Sequence, residues 1–473
     1  MIRSPHYVAP GSSSASRRIL LVSPAYPPCA EVGALRWEKI TMFAERQGWG
    51  MDVITGAASP RDRIDESRLL SLPAGTRVWT IPMPVLAVQR LDRQLMAMVA
   101  PIRRRRALVE VASSAAESPV TTMAAIGTSA TATSAAPAIL RNVRAWSYFA
   151  AWNTWGDEVL ALAQDLGRES LPTVVASSGP PHMTHEAARR VAVALDRPLV
   201  IDLRDPWFVD EAEPADLAGT TWRRQTEKYE ASACADARLI VVNTESSAAL
   251  MRERYPSFVN RVMTVMNGAD DDVKKFAGEG SATFDIVHAG SLYSGRDPRP
   301  LFRGVRRFLD TMPAATALVR TIFIGAQQYD GAPLDDLARE CGLTEHFSCQ
   351  APLPRRQALQ LSGDAAINVV LPQDWSHSIP SKVFEYMQFS AWILALSEPS
   401  DAITQLLRDT SSPSITPGDT DAIATFIAER FSYWNTGRKA TGKGSRAEPL
   451  NTDGRFDRER QVEQLLRAIH DVV

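Results

Sequence analysis

Residues 366–399 read AINVVLPQDWSHSIPSKVFEYMQFSAWILALSEP, and the architecture of the chain can be worked out from this stretch. An apolar, β-branched run at 367–371 predicts a buried strand, and a second apolar run at 392–396 predicts another. Between them a polar loop leads to Pro380 and Ser381, which suit the start of a helix over 382–389. The order strand, loop, helix, strand predicts a parallel crossover unit of an α/β domain.

The start of this predicted helix carries two side chains that suit a nucleotide. A helix N-terminus presents unpaired backbone N–H groups and a partial positive charge, which favour a phosphate. Lys382 adds a full positive charge in the first turn, and Glu385 can accept hydrogen bonds from a sugar diol. The alternative is an ordinary capped helix in which the two side chains pair on a solvated face, and the motif taken alone favours this alternative.

Length and composition limit the class of protein. A chain of 473 residues is too long for one core and suits two domains of about 200 residues each. With 22% charged residues and a net charge of −2, it is expected to be globular and cytoplasmic, with no nucleic-acid partner. No apolar run approaches the ~20 residues of a membrane span. The four cysteines lack metal-ligand spacing, so we expect reduced thiols and no metal site.

The pattern of strands, helices and turn residues predicts the domain bounds. We expect a flexible tail at 1–17, a first domain at 18–270 with an Ala-, Ser- and Thr-rich insertion at 113–137, a linker at 271–281, a second domain at 282–455 and a C-terminal helix at 456–473.

Two polar clusters follow successive predicted strands of the first domain. His182 and His185 come after a strand at 173–176, while Asp202, Arg204 and Asp205 follow a strand at 199–201. Open parallel sheets bind ligands at the carboxyl ends of their strands, so these side chains are expected to meet in one cleft. Carboxylates there would bind sugar hydroxyls, and a guanidinium would bind an anion. The alternative is a structural Arg–Asp bridge with a surface histidine.

Glycines precede two other predicted helices. Gly33, before a helix at 34–47, would let a ligand or the facing domain approach the backbone closely. Gly290, Gly295 and Arg296, before a helix at 299–310, form a second candidate phosphate cradle. The first loop is not a G-x-G-x-x-G loop, so the fingerprint of a nicotinamide dinucleotide is absent there.

Residues 85–112 combine apolar residues near helical spacing with the basic run Arg103, Arg104, Arg105 and Arg106. Such a segment suits the surface of an anionic membrane, which would make the protein peripheral on the inner face of the membrane. An amphipathic helix packed on its own domain, with a solvated arginine run, explains the same pattern, and both interpretations stay open.

Six motifs in a fixed order carry a resemblance to a known family. They are LLVSPAYPP (20–28), SSGPPHMTH (177–185), DLRDPW (202–207), MNGAD (266–270), GSLYSGRDP (290–298) and IPSKVFEYM (379–387). Over most of residues 18–408 the chain resembles the GT-B glycosyltransferases of the retaining family four, closest to the bacterial branch that builds polysaccharides and lipid-linked glycans.

The resemblance implies an α/β fold of two Rossmann-like domains facing a cleft, with a nucleoside diphosphate sugar held mainly by the second. Glu385 would bind the ribose, and Arg296 and Lys382 would neutralise the diphosphate. Gly290 would give that phosphate room, and the Gly33 loop would contact it from the first domain. Three positions depart from the pattern of the family: Ser291 stands where many members have an arginine, His377 where they have a glutamate, and Arg204 where they have a histidine.

The implied reaction is glycosyl transfer with retention, without metal, cofactor or covalent intermediate. The acceptor would be a glycan, a lipid-linked molecule or a small molecule. His185 or Asp205 would orient it, and His182, Asp202 and Arg204 would contact the acceptor or the sugar. Two alternatives remain: an inactive GT-B protein that binds a nucleotide or sugar, and a sugar epimerase on the same architecture. A phosphorylase is disfavoured because no lysine stands in a pyridoxal-type context.

Overall fold

The computed structural model describes residues 4–11, 15–30, 32–58, 63–92, 137–205, 207, 214, 216–292, 295–372 and 376–473. The contacts divide the chain into a first unit, residues 1–240 with Val473, and a second unit, residues 241–472. The domain bounds derived from the sequence stay a prediction. Among the described residues, no helix is long and apolar enough to cross a membrane.

Eight strands form the first sheet: Tyr7–Val8 (β1), Arg17–Ser23 (β2), Trp49–Gly56 (β3), Arg77–Ile81 (β4), Val174–Gly179 (β5), Leu199–Leu203 (β6), Ala237–Val242 (β7) and Val262–Thr264 (β8). Their order is β1-β4-β3-β2-β5-β6-β7-β8. Strands β2 to β6 pair in parallel, whereas β1 pairs antiparallel with β4. Tyr7 and Val8 belong to the segment predicted as a flexible tail, and their pairing with Val78 and Arg77 holds them at the edge of the sheet.

The helices of the first unit are Val32–Arg46 (α1), Ser67–Leu70 (α2), Ala138–Glu169 (α3), Met183–Leu195 (α4) and Thr220–Asp236 (α5). Strand β2 is buried almost without interruption from Ile19 to Val22, as expected of a parallel strand covered on both faces. Trp37 of α1 and Trp155 of α3 are fully buried among the covering side chains. Helix α3 is the longest of these helices and runs without a break for 32 residues.

The second unit contains the strands Phe284–Ala289 (β9), Val319–Ile324 (β10), Gln328–Tyr329 (β11), Ala332–Pro333 (β12), Phe347–Gln350 (β13), Ile367–Val370 (β14) and Trp392–Ala395 (β15). Five of them form a parallel sheet in the order β13-β10-β9-β14-β15. The two strands predicted around residues 367 and 392 are therefore confirmed as β14 and β15, which lie side by side. Strand β13 was not predicted, because its sequence FSCQ has no apolar run.

The helices of the second unit are Glu245–Arg254 (α6), Arg299–Thr311 (α7), Leu334–Glu340 (α8), Arg355–Asp364 (α9), Lys382–Tyr386 (α10), Ala402–Leu407 (α11), Thr420–Thr441 (α12) and Arg458–Asp471 (α13). Helix α12 was not predicted, although Ile423, Ile427, Phe431 and Trp434 form a buried stripe at helical spacing.

Apolar side chains cover both faces of the second sheet. Phe284, Ile286 and Phe323 belong to one buried cluster, and Val370 and Ile393 to another. This burial explains why apolar residues predominate in β9, β10, β14 and β15. The loops that follow β9 and β14 lie at the carboxyl edge of this sheet, because β9 and β14 are neighbouring parallel strands. Ligands bind to open α/β sheets at this edge.

Candidate functional site

Gly290 and Lys382 meet at the carboxyl edge of the second sheet. Gly290 follows β9 directly and has a φ of +133°, which side-chain-bearing residues rarely adopt. The ammonium of Lys382 donates a hydrogen bond to the carbonyl oxygen of Ala289 at 2.7 Å. A Cβ atom on Gly290 would lie 2.7 Å from Nζ of Lys382, so a side chain there would displace the ammonium. The absence of a Cβ therefore leaves room for a cation beside this turn.

The helix that carries Lys382 is shorter than predicted, and its cap differs. Helix α10 ends at Tyr386 instead of reaching 389. Ser381 has helical backbone angles, φ −56° and ψ −29°, and its hydroxyl makes no capping hydrogen bond, so the predicted serine cap is wrong. The N–H groups of Val383 and Phe384 donate to Pro380 and Ser381 within the first turn. Positive charge at this site therefore comes mainly from the Lys382 side chain.

Glu385 lies one helical turn beyond the start of α10 and pairs with a residue that the sequence did not single out. Its Oε1 atom accepts a hydrogen bond from Nη2 of Arg355 at 2.7 Å. The Glu385 side chain is 22% exposed, which leaves part of the carboxylate accessible. Arg355 is the first residue of α9. In the sequence, only the proline before this arginine indicated that a helix begins there.

Arg296 is half-buried, and Ser291 is exposed directly after Gly290. The charges of Lys382 and Arg296 both act on one buried group, His288 of β9. Burial, followed by the positive charge of Lys382 and then that of Arg296, holds the pKa of His288 well below its usual value. The Nδ1 atom of His288 lies 3.1 Å from the carbonyl oxygen of Val369, so Nδ1 carries the proton of a neutral ring. Lys382 and Arg296, both predicted to bind phosphate, are therefore close enough to β9 to lower the pKa of His288.

His377, at the position where the resembling family has a glutamate, is tied back to the start of α6. Its Nδ1 atom lies 2.5 Å from Oγ of Ser246. Its carbonyl oxygen accepts hydrogen bonds from the hydroxyl of Thr244 at 2.6 Å and that of Ser247 at 3.2 Å. The imidazole of His377 is therefore already engaged within the second unit.

In the first unit, the structure brings Gly33 and Arg204 together. A Cβ atom on Gly33 would lie 2.5 Å from Nη1 of Arg204. The same guanidinium donates to the carbonyl oxygen of Gly179 at 3.1 Å through Nε, and to that of Pro180 through Nη2. Gly33, which was predicted to precede the helix, lies in its first turn, because α1 begins at Val32. Arg204 thus links the start of α1 to the loop after β5.

His182 and His185 are neighbours on the turn that leads into α4. Nδ1 of His182 lies 3.5 Å from Nε2 of His185, and His182 stacks on Trp207 with a centroid distance of 5.2 Å. Nδ1 of His185 lies 2.8 Å from Oγ of Ser177. Burial lowers the pKa of His182 well below its usual value and that of His185 to about 3. Both rings are therefore neutral near pH 7 and can exchange hydrogen bonds but carry no charge.

Asp202 is completely buried, and its carboxylate is shared by three donors. Nη2 of Arg36 donates to Oδ1 at 3.0 Å, the indole N–H of Trp37 donates to Oδ2 at 2.8 Å, and Oγ of Ser178 donates to Oδ2 at 3.2 Å. These contacts match the structural Arg–Asp bridge considered from the sequence, with Arg36 as the arginine. Asp205 is half-buried just after β6. The functional roles of both residues stay predictions.

Arg36 and Trp37, on the buried side of α1, were not predicted to belong to this group. A charged residue on the apolar face of a helix was the available signal, because such a residue needs a buried partner. The basic run of Arg103, Arg104, Arg105 and Arg106 lies outside the described residues, as do residues 113–136 of the predicted insertion.

Several solved structures share this fold at low sequence identity. Sucrose-phosphate synthase from Thermosynechococcus elongatus is 11% identical with a TM-score of 0.57, over 96% of this chain and 99% of its own. HepE from Anabaena, in complex with UDP and glucose, is 13% identical with a TM-score of 0.57, over 96% of this chain and 100% of its own. A glycosyltransferase from Rickettsia africae is 10% identical with a TM-score of 0.56, over 97% of this chain and 99% of its own.

No family model matches the chain, and no curated protein matches it. The structural similarity extends over nearly the whole chain and both units. The predicted fold class, α/β with two Rossmann-like domains of the GT-B type, is therefore confirmed.

Proposed function

We propose that this protein is a glycosyltransferase of the retaining family four type. It would move a sugar from a nucleoside diphosphate sugar to an acceptor hydroxyl, in the synthesis of a polysaccharide or glycoconjugate. The observation that carries the proposal is the position of the Lys382 ammonium against Gly290, with Glu385 one turn further along α10. A cation beside a side-chain-free turn suits a diphosphate, and a partly exposed carboxylate next to it suits a ribose.

The chemistry that this site supports is stabilisation of a leaving group. As the bond between the anomeric carbon and the diphosphate breaks, the electron pair stays with the phosphate oxygen, where negative charge builds up. Lys382 and Arg296 would stabilise this charge from fixed positions, which is the effect that usually contributes most to enzymatic catalysis. A hydrogen bond from a charged donor contributes about 1.5–3 kcal/mol, so the loss of one such cation should slow turnover by about 10- to 150-fold. These side chains supply positive charge without requiring a metal ion or cofactor.

The acceptor would be bound by the first unit, through the group His182, His185, Asp202, Arg204 and Asp205, with the Gly33 loop beside them. His185 is neutral near pH 7 and completely buried, so it would orient the acceptor through its neighbour His182, whose Nδ1 lies 3.5 Å from its Nε2. The similar structures support the choice of donor, since HepE is described in complex with UDP and glucose. The acceptor would be a glycan, a lipid-linked molecule or a small molecule.

The decisive experiment has two steps. Nucleotide sugars that differ in base and sugar are first tested for thermal stabilisation of the purified protein. The best donor is then incubated with the protein and a membrane or lipid-linked glycan fraction, and release of nucleoside diphosphate is measured. Lys382→Ala and Glu385→Ala should each slow release by about 10- to 150-fold, whereas the exposed Lys275→Ala should leave it unchanged.

The outcomes separate the candidate functions. Thermal stabilisation without release would favour a binding protein, and conversion of one nucleotide sugar into another without release would favour an epimerase. Equal turnover of the wild type and both site variants would reject the assignment of the donor site.

Membrane association is a separate part of the proposal, with the protein cytoplasmic and peripheral on the inner face. It rests on the sequence of Arg103, Arg104, Arg105 and Arg106, because each basic residue contributes about 1 kcal/mol of attraction to an anionic surface. Sedimentation with anionic vesicles should fall sharply when the four arginines are replaced by glutamine. Equal sedimentation of both proteins would refute this part and leave the sugar-transfer proposal intact.

A further inference from the structure

Arg355 links Glu385 to a second carboxylate. Its Nη2 atom donates to Oε1 of Glu385 at 2.7 Å, and its Nη1 atom lies 3.7 Å from Oδ2 of Asp272. Asp272 belongs to the short 3₁₀ helix Asp271–Phe276. The guanidinium is therefore held between two elements of the second unit, while 48% of the Arg355 side chain stays exposed.

The pairing constrains the Glu385 carboxylate. The terminal torsion of a glutamate is broad, so an unpaired carboxylate rotates among many orientations. The hydrogen bond to Arg355 fixes Oε1 and thereby the direction of Oε2. From the described part of the chain, Oε2 receives no hydrogen bond, so it is the oxygen that can accept one from a ligand.

Arg355 also changes the charge that a ligand meets. A nucleoside diphosphate brings negative charge close to Glu385, and two like charges repel each other across a partly buried site. The guanidinium neutralises the carboxylate without occupying Oε2. A ribose hydroxyl can then be bound with less repulsion of the diphosphate.

We propose that Arg355 is a positioning residue that presents Oε2 of Glu385 to the ribose, and that this makes the site selective for ribonucleotides over 2′-deoxyribonucleotides. This inference rests on the proposed function and deepens it. A site built to bind a hydroxyl rejects a ligand that lacks it, because the partly buried acceptor is then left without its partner. With Oε1 held by Arg355, the carboxylate cannot rotate to compensate.

The test compares binding of ADP, GDP, UDP and CDP with that of their 2′-deoxy counterparts by isothermal titration calorimetry. The proteins are the wild type, Arg355→Met, Glu385→Gln and the double variant. Arg356→Met is the matched control, since it removes the same charge from the next residue, whose guanidinium lies 5.8 Å from the ring of Phe276. Thermal melting of each variant verifies that it is folded.

For the nucleotide that binds best, the wild type should prefer the ribose form by about tenfold or more, the effect of one hydrogen bond to a charged acceptor. Arg355→Met should lose most of this preference while its affinity for the deoxy form changes less than about threefold, and Arg356→Met should keep the preference. The double variant should match Glu385→Gln alone, because residues that act together are not additive.

Three results would overturn the inference. An unchanged preference in Arg355→Met would mean that Arg355 does not position the carboxylate. Tighter ribonucleotide binding by that variant would mean that Arg355 blocks the site. A wild type that binds none of the eight nucleotides would refute the proposed function as well, which distinguishes that failure from the other two.

Discussion

Replacing Arg36 with methionine should strongly destabilise the first unit, because the Asp202 carboxylate would lose its buried counter-charge. Nε of Arg36 lies 3.2 and 3.1 Å from the two carboxylate oxygens, and Nη2 lies 3.0 Å from Oδ1. The two side chains are 6% and 1% exposed, so water cannot replace the guanidinium. Removal of one partner from a buried pair costs about 3–5 kcal/mol. Trp37 and Ser178 still donate to Oδ2, so we expect the lower end, about 3 kcal/mol.

For a domain of this size, 1 kcal/mol shifts the melting temperature by about 2–4 °C, so Arg36→Met should melt about 6–12 °C below the wild type. Circular dichroism gives the melting curve. Hydrogen exchange measured peptide by peptide assigns the loss, which should appear in β2, β5 and β6 and spare β9 and β14 of the second unit.

The control is the double variant Arg36→Met, Asp202→Asn. It removes both charges, so it should be more stable than Arg36→Met alone although it carries one more substitution. A melting temperature of Arg36→Met within 2 °C of the wild type would contradict a structural role for the pair. So would a double variant less stable than the single one.

Three further outcomes are expected. Gly290→Ala should destabilise the second unit by about 1–3 kcal/mol in thermal melting and weaken nucleotide binding in calorimetry, because the φ of Gly290 is +133° and the new Cβ would displace the Lys382 ammonium. Gly418→Ala is the control and should change neither quantity, because a Cβ at Gly418 meets no atom within 4 Å. The wild-type melting temperature should fall as the pH drops from 6.5 to 5, because the unfolded chain protonates His182, His185 and His288 while the folded form, in which their pKa values are lowered, does not. His185 should contribute up to about 1.4 kcal/mol of this loss per pH unit, so a His185→Gln variant with an equally steep profile would exclude that contribution. Arg458→Met should lower the free energy of unfolding by about 3 kcal/mol and expose α13 to proteolysis, because Nε of Arg458 donates a hydrogen bond to the buried Asp270 at 2.6 Å. If α13 of this variant stays intact under limited trypsin digestion, the ion pair does not hold the helix in place.

The strands and the main loops of the candidate site were predictable because their signals are local. Apolar, β-branched runs marked β14 and β15, and Gly290 itself marked the close approach that is found there. The parallel order of the sheet then brought Gly290 to Lys382, as expected for loops at one sheet edge. The length of α10 and the cap at Ser381 were predicted wrongly, since short helices depend on packing more than on capping residues.

Two ion pairs, one in each unit, were not predictable in the same way. Arg355 reaches Glu385 across 30 positions of the chain, and Arg36 reaches Asp202 across 166. The residues next to an arginine in the sequence do not indicate which carboxylate its guanidinium will contact in the folded chain.

Hydrophobic periodicity and turn residues, which act over a few neighbouring positions, were enough to specify the α/β class, most strands and the loops that carry polar side chains. The partners of those side chains emerged only when the chain was folded. Pairing of charges depends on distances of about 3 Å between residues far apart in sequence, and packing of helices on the sheets sets those distances.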